Sequence, residues 1–386
     1  MPFLQQLLTM AGFAGLAAAS IYSVLAAMSV VAWRLQRKPP QPLWQPPVTI
    51  LKPLCGAESG LSAHLRTFCR QDYPEFEIVF GVRDPADPAC SVVRRLAAEF
   101  PSIGMELVVN PRLHGSNLKI SNLINMLPHA RHDVLVMADS DAFVDSDYLN
   151  AVTAPLKDDK VGLATCLYRG VPTGDIWSRL GAMYINEWYV PSVLLAWLFG
   201  HQGYVSGQTV CMRRDSLVAA GGLRALVNHL ADDHRLGELM RAAGLKIVMS
   251  RYVVKGEHHE PDFSSLARHE LRWMRTIRVL RPRSFRMLFV TFSLPLAAAG
   301  FAAVASHSPH SIVAWTLLAM TGAARLALHF VPVSGDRRPS AWNLWLLPLR
   351  DLLMLWVWCR TFFTSRVTWR GKEFDVDADG IMHPPS

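Results

Sequence analysis

Six cysteines are spread over 386 residues, and no two of them form a C-x-x-C pair. Cys55, Cys69, Cys90, Cys166, Cys211 and Cys359 show no spacing that suggests a disulfide framework. They read as reduced thiols of a cytosol-facing domain, mostly small core residues. Charge is also scarce: 18% of residues are Asp, Glu, Lys or Arg, against about a quarter in soluble proteins. Hydrophobic residues reach 51% and gather in blocks at both ends. That pattern excludes an ordinary soluble globule and points to a soluble middle flanked by membrane segments. No internal repeat or low-complexity tract is present, so the chain is not a repeat array.

What charge there is has a direction. The net charge is +8 and the pI about 9.3, a balance that suits nucleic acid, an anionic membrane or a phosphorylated substrate. The arginines cluster beside the apolar blocks, as on the cytoplasmic side of a membrane protein. A nucleic-acid binder would interleave basic stripes with stacking aromatics on a soluble fold, so no nucleic-acid partner is expected.

The first apolar block, Leu8 to Trp33, contains no charge and is long enough to cross a bilayer. Arg34, Arg37 and Lys38 follow, then a proline-rich linker from Pro39 to Pro47. An uncharged start and a long block argue for a permanent anchor rather than a signal peptide. Two further apolar spans are predicted, about Leu288 to Ser306 and Ile312 to Val333. The turn between them lacks Lys and Arg and is expected outside, with Arg337 and Arg338 inside. A last stretch, Trp342 to Phe363, carries Arg350 and Asp351 near its centre. Charge at bilayer depth is costly, so this stretch lies at the interface, forms a re-entrant pair, or spans with its two charges neutralising each other.

Between Val48 and about Tyr252, short apolar runs alternate with amphipathic stretches. "VTILKPL", "FEIVFGVRD", "MELVVN" and "HDVLVMADSD" read as strands, and "LSAHLRTFCRQ" and "DPACSVVRRLAAEF" as helices. Such alternation implies βαβ units and a mostly parallel sheet, with ligands at the carboxyl ends of strands. Asp84 and the Asp139-Ser140-Asp141 triplet sit at such ends.

These residues suit transfer of a sugar from a nucleoside diphosphate. That reaction needs a divalent cation on oxygen ligands, a carboxylate base and cations for the departing charge. Asp139 and Asp141 form a D-x-D whose hard oxygens suit Mg²⁺ or Mn²⁺, although an acidic surface turn has the same pattern. Asp84 also reads as a turn residue. Asp232 and Asp233 open a predicted helix, where acids are favoured in any case; either is available as a base. His258, His259 and Asp262 lack a cysteine partner at zinc spacing and read as loop residues. The run Trp177 to Phe199 is either plain core or a half-inserted lipid-facing helix. Ser264 to Met287 holds seven arginines among apolar positions at helical spacing, which suits a helix lying in a membrane interface. Leu271, Met274 and Ile277 are expected among acyl chains and the arginines at lipid phosphates.

In order along the chain come Asp84, the D-x-D, the acidic pair and "HELRW". With "ILKPLCG", "FCRQDYPEFEIVFGVRDPADPA", "NLKISNLINM" and "LADDHRLGE", the chain resembles the ceramide glucosyltransferases and their bacterial relatives, inverting GT-A glycosyltransferases. "SNLINMLPHARHDVLVMADSD" and "ATCLYRGVPTGDIWSRLGAMYIN" look like the hopanoid-biosynthesis subgroup.

The resemblance implies donor contacts at Asp84, Asp139, Arg272 and Trp273, with Lys52, Pro53 and Lys119 as further donor-binding positions. It implies a metal at Asp139 and Asp141, although animal ceramide enzymes have D-S-G at the D-x-D. Asp233 is implied as the base, with Asp232 beside it. His269 takes the first place of the family's [Q/R]-x-x-R-W motif, on the acceptor or diphosphate side. The implied substrates are UDP-N-acetylglucosamine and the side-chain hydroxyl of a bacteriohopanetetrol-type hopanoid, or else UDP-glucose and ceramide. A processive polysaccharide synthase would need a polymer channel that so few spans do not suit. An inactive membrane scaffold would not keep Asp84, Asp139, Asp233 and Arg272.

The expected organisation is an anchor over 1–38, a cytosolic α/β GT-A-like domain over 39–260 with helices on both sheet faces, a basic interface helix over 261–287, and a C-terminal membrane region and tail over 288–386. The expected location is a bacterial inner membrane, multi-pass, with the catalytic domain on the cytosolic face.

Overall fold

A computed structural model describes residues 2–36, 44–57, 60–201, 203–334, 340–363, 366–369 and 372–383. Arg37, Lys38, Arg337 and Arg338, on which part of the expected orientation rests, lie outside the described residues.

The central sheet has eight strands: β1 (Val48–Pro53), β2 (Phe76–Val82), β3 (Gly104–Val109), β4 (Val134–Ala138), β5 (Ala142–Phe143), β6 (Val161–Pro172), β7 (Thr209–Arg213) and β8 (Lys246–His258). Their order is β3-β2-β1-β4-β7-β6-β8-β5. The first four are parallel, with Ile50 opposite both Ile78 and Val136. β7 runs antiparallel between β4 and β6, and β6 and β8 are again parallel.

Neighbouring strand residues point to opposite faces, and each face carries its own core. Ile50, Ile78 and Val136 pack under α2 (Leu61–Cys69), α3 (Ala89–Glu99) and α5 (Tyr148–Thr153). Leu51, Val79 and Leu135 pack under α4 (Leu118–Met126), α8 (Arg214–Ala219) and α9 (Asp232–Ala242). The near-continuous apolar strands of the sequence follow from this double cover. Four of the six cysteines are buried and all six are free.

The remaining helices form a second body. They are α1 (Pro2–Leu35), α6 (Ile176–Met183), α7 (Val190–Leu198), α10 (Phe263–Leu280), α11 (Pro282–Arg286), α12 (Ser293–Ala305), α13 (Ile312–Phe330) and α14 (Leu346–Thr361). A π-helical segment, Tyr184–Tyr189, joins α6 to α7. A small antiparallel sheet closes the chain: β9 (Val367–Trp369), β10 (Lys372–Val376) and β11 (Met382–His383).

Two helices, Phe3–Leu35 and Ile312–Phe330, are long and apolar enough to cross a membrane. α1 and α12 approach so closely that a Cβ on Gly12 would stand 2.8 Å from the Gly300 carbonyl oxygen, the small-residue contact that lets apolar helices pack without a hydrophobic drive. Ser20 Oγ reaches across to the α13 backbone at Leu317, 2.8 Å away.

The structure departs from two expectations. The span predicted over Leu288 to Ser306 divides into a 3₁₀ turn, Leu288–Thr291, and the 13-residue α12. At 1.5 Å per residue that helix is only about 20 Å long, short of the hydrocarbon core. In α14, Arg350 and Asp351 do not neutralise each other. Arg350 pairs with Glu270 of α10, and Asp351 with Arg325 of α13 at 2.8 Å. Successive helical residues point about 100° apart, so each charge meets a different neighbour.

Candidate active site

The carboxyl ends of β1, β2 and β4, the start of α9 and one side of α10 enclose an open cleft of about 1440 Å³. It is larger than a typical single-ligand pocket. Asp84, Lys119, Asp139, Asp141, Asp232, Asp233, His269, Arg272, Trp273 and Pro53 all line it.

At its floor, Lys119 Nζ lies 2.5 Å from Asp139 Oδ1 and 3.8 Å from Asp232 Oδ2. Lys119 is on α4, whose first turn is capped by the Asn117 side chain accepting from the Ile120 N–H. Burial alone would lower the Lys119 pKa, but Asp139 and Asp232 outweigh it and hold the ammonium well above its usual range. Asp233 accepts from the Gly207 N–H at 3.0 Å and the His234 N–H at 2.7 Å. Burial, and then the Asp232 charge, push its carboxyl up to about 6. A base with that pKa is ionised at neutral pH yet stronger than a free aspartate. Asp141 accepts from the Gln208 side-chain amide at 3.3 Å.

Asp84 stands at the exposed end of β2, where its carboxylate accepts from the Ala86 N–H at 2.8 Å. Its turn role and its place in the cleft wall therefore coexist. Lys52 is placed differently from the expectation. Its side chain is fully buried beneath the cleft, donates to the Asp139 carbonyl and lies 3.7 Å from the Phe68 ring centroid. Burial lowers its pKa to about 7. Lys52 holds the end of β4, and its neighbour Pro53 is the one that reaches the cleft.

α10 is amphipathic for a different reason from the one expected. Ser265, Arg268, His269, Arg272, Trp273, Thr276, Ile277 and Leu280 form a helical stripe along the cleft. Leu266, Glu270 and Met274, on another face, are buried within the protein. Met274 is fully buried in protein rather than set among acyl chains, and Leu271 and Ile277 are partly buried against the same core. Arg278 donates to the Thr361 carbonyl, and Arg281 to His234 Nε2 at 3.1 Å. Both arginines thus contact protein groups.

His269 Nδ1 lies 2.8 Å from Glu260 Oε1 and its ring 4.1 Å from that of Trp273. Since a carboxylate accepts, His269 Nδ1 donates in this bond, and Nε2 is the ring nitrogen left for a ligand. His258 is not a loop residue. It ends β8, buried beside His269, and burial lowers its pKa to about 4. Asp262 caps α10, accepting from the Ser265 N–H at 2.7 Å. Among the described residues no three His, Cys, Asp or Glu side chains form a metal-binding group. The Trp177 to Phe199 run is part buried and part exposed. Tyr184 and Trp188 are buried core, and Leu198 and Phe199 are exposed.

Sequence reasoning missed Ser206-Gly207-Gln208, which positions both Asp233 and Asp141, and it missed Glu260. Their bonds join residues 26 and 67 positions apart, and no local pattern marks them. Sequence reasoning also passed over Tyr168 and Tyr204, which line the same cleft.

Residues 12–382 match the family model of Glycosyl transferase family 21. The chain belongs to that family. Ceramide glucosyltransferase 3 of Caenorhabditis elegans is 23% identical over 375 residues, covering 93% of this chain and 79% of the relative. Ceramide glucosyltransferase 1 of the same organism is 25% identical over 239 residues, 60% of this chain and half of the relative. A mannosyltransferase, PcManGT from Pyrobaculum calidifontis, solved with GDP-Man and Mn²⁺, superposes with a TM-score of 0.57 at 22% identity. The superposition covers 92% of this chain and 99% of that one. The family 21 chain is thus a glycosyltransferase of GT-A-like α/β fold, with a mostly parallel sheet covered on both faces.

Proposed function

We propose that this family 21 enzyme moves a sugar from a UDP-sugar to a hydroxyl on the polar head of a membrane lipid. The observation that carries the reading is Lys119 between Asp139 and Asp232, which sets a cation between the D-x-D and the acidic pair within one cleft. In this reading Asp233 takes the proton of the acceptor hydroxyl. The acceptor oxygen attacks the anomeric carbon on the face opposite UDP, the bond to the diphosphate oxygen breaks, and the configuration inverts. Lys119 and Arg272 meet the charge left on the diphosphate. Asp84 and Trp273 contact the donor, and His269 offers Nε2 toward the acceptor or the diphosphate.

Asp139 and Asp141 fit a divalent cation. Both line the cleft, and Mg²⁺ or Mn²⁺ commonly takes one or two protein carboxylates with phosphate and water completing its shell. When bound, such an ion neutralises diphosphate charge.

The preferred pair is UDP-N-acetylglucosamine with a bacteriohopanetetrol-type hopanoid, supported by the subgroup-like stretches around Asp139 and Tyr168. UDP-glucose with ceramide has at least equal support from the similarity to ceramide glucosyltransferases. The long apolar helices α1 and α13 support a membrane protein, and with the hopanoid pair we assign it to a bacterial inner membrane, multi-pass, with the 39–260 domain on the cytosolic face. The test is to incubate purified enzyme with each UDP-sugar and each lipid and read the products by mass spectrometry. Glucosylceramide as sole product selects the second pair, and no glycolipid at all overturns the lipid acceptor.

A further inference from the structure

Asp233 shares its part of the cleft with three tyrosines. Tyr168 of β6, Tyr189 at the end of the π-helical segment and Tyr204 line the wall there. The Tyr189 ring centroid is 5.8 Å from that of Tyr168 and 6.2 Å from that of Tyr204. The Tyr189 hydroxyl donates to that of Tyr204 at 3.3 Å. Burial raises the pKa of all three phenols, and the Asp233 charge acts on each. They are neutral groups that both donate and accept hydrogen bonds. A phosphate binds best to cations, and Lys119 and Arg272 belong to α4 and α10, not to the elements that carry the tyrosines. A hydroxyl-bearing group suits a tyrosine wall, with its oxygens on the phenols and its C–H faces against the rings.

The same wall runs into apolar surface. Tyr189 leads directly into α7, which ends on the exposed Leu198 and Phe199 before the chain returns to the cleft at Tyr204. α7 is tied to the long apolar helix α1, with Tyr22 Oη 2.8 Å from Ser192 Oγ. A ligand seated on the tyrosines would have the base on one side and a lipid-compatible surface on the other.

We propose that Tyr168, Tyr189 and Tyr204 form the acceptor subsite, taking the hydroxylated head of an amphipathic lipid whose apolar body leaves past the end of α7. The inference rests on the lipid-acceptor reading above and adds where that acceptor binds and what selects it. Beyond the Tyr189–Tyr204 bond the phenols keep donor and acceptor capacity for ligand hydroxyls, so this subsite favours polyhydroxylated heads.

The experiment uses the full chain in lipid nanodiscs with bacteriohopanetetrol or ceramide and each UDP-sugar. Tyr189→Phe combined with Tyr204→Phe keeps both rings and removes both hydroxyls. The KM for the lipid is expected to rise about tenfold, as for loss of one or two hydrogen bonds, while the donor KM stays within about twofold. Tyr204→Phe alone, the milder change should the double variant fold poorly, is expected to raise the lipid KM about threefold. An unchanged lipid KM overturns the subsite. So does a donor KM that rises in step, which would place the nucleotide base on these rings. If the wild-type enzyme glycosylates neither lipid, the lipid-acceptor reading itself fails. If it glycosylates one and the variants match it, the subsite alone fails.

Discussion

The guanidinium of Arg350 grips the carboxylate of Glu270 through two hydrogen bonds of 2.6 Å each, with both side chains 1% exposed. Glu270 lies on α10 directly after His269, so this pair ties the helix that walls the cleft to α14 of the C-terminal region. Arg350 also donates to the Leu180 carbonyl of α6 at 3.0 Å. Removing one partner strands a buried charge, which costs about 3–5 kcal/mol. Arg350→Met is therefore expected to lower the thermal unfolding midpoint in detergent strongly and to raise the donor KM. Glu270→Met combined with Arg350→Met is expected to recover most of the stability, because an apolar pair carries no desolvation cost. A wild-type midpoint for Arg350→Met alone would contradict the clamp.

Asp233→Asn preserves shape and removes the proton acceptor, so turnover is expected to drop at least about 10²-fold, with UDP binding retained by calorimetry. Wild-type turnover is expected to fall as pH drops through about 6, where Asp233 takes up its proton. Stability moves the opposite way. The folded-state pKa is raised, so the contribution of this group to folding is fully present below its unfolded pKa and is lost as pH rises through about 6. Asp233→Asn is thus expected to unfold at a higher temperature than wild type at pH 8, with the gain vanishing near pH 4. A variant less stable than wild type at pH 8 would show that the ionised carboxylate supports the fold.

Chelation by EDTA is expected to abolish transfer, with Mg²⁺ or Mn²⁺ restoring it. Asp139→Ala frees Lys119 from its 2.5 Å partner and is expected to lose activity while keeping a cooperative unfolding transition. Full turnover in EDTA would remove the metal from the scheme and leave Lys119 and Arg272 as the diphosphate's cations.

The turn between α12 and α13 contains Ser308, and Ser340 lies before α14. With α13 crossing the bilayer, a cysteine at Ser308 is expected to react with a membrane-impermeant thiol reagent from outside intact cells, and one at Ser340 only after permeabilisation. The reverse pattern would invert the orientation, and labelling of both from outside would mean that α13 does not cross.

Apolar periodicity alone determined the βαβ body, the strand ends that carry Asp84 and Asp139, and the helix that starts at Asp232. These are local properties: a strand buried on both faces is apolar along most of its length, and Asp84 and Asp139 follow where strands leave the core. Tertiary structure decided where each amphipathic face turns. The arginine-rich α10 has the composition of an interface helix, yet its apolar face meets α6 and α14 and much of its polar face meets the cleft. Composition records that a face is apolar, not whether lipid or protein covers it. In the same way Arg350 and Asp351 are neighbours in sequence, but their partners, Glu270 and Arg325, are 80 and 26 residues away. Lys52 and Pro53 differ by one position, and the pleat of β1 turns one beneath the cleft and the other into it. The contacts that set Asp233 and Asp141 come from Gly207 and Gln208, on a loop with no marking of its own, because a hydrogen bond between distant segments leaves no period in the chain.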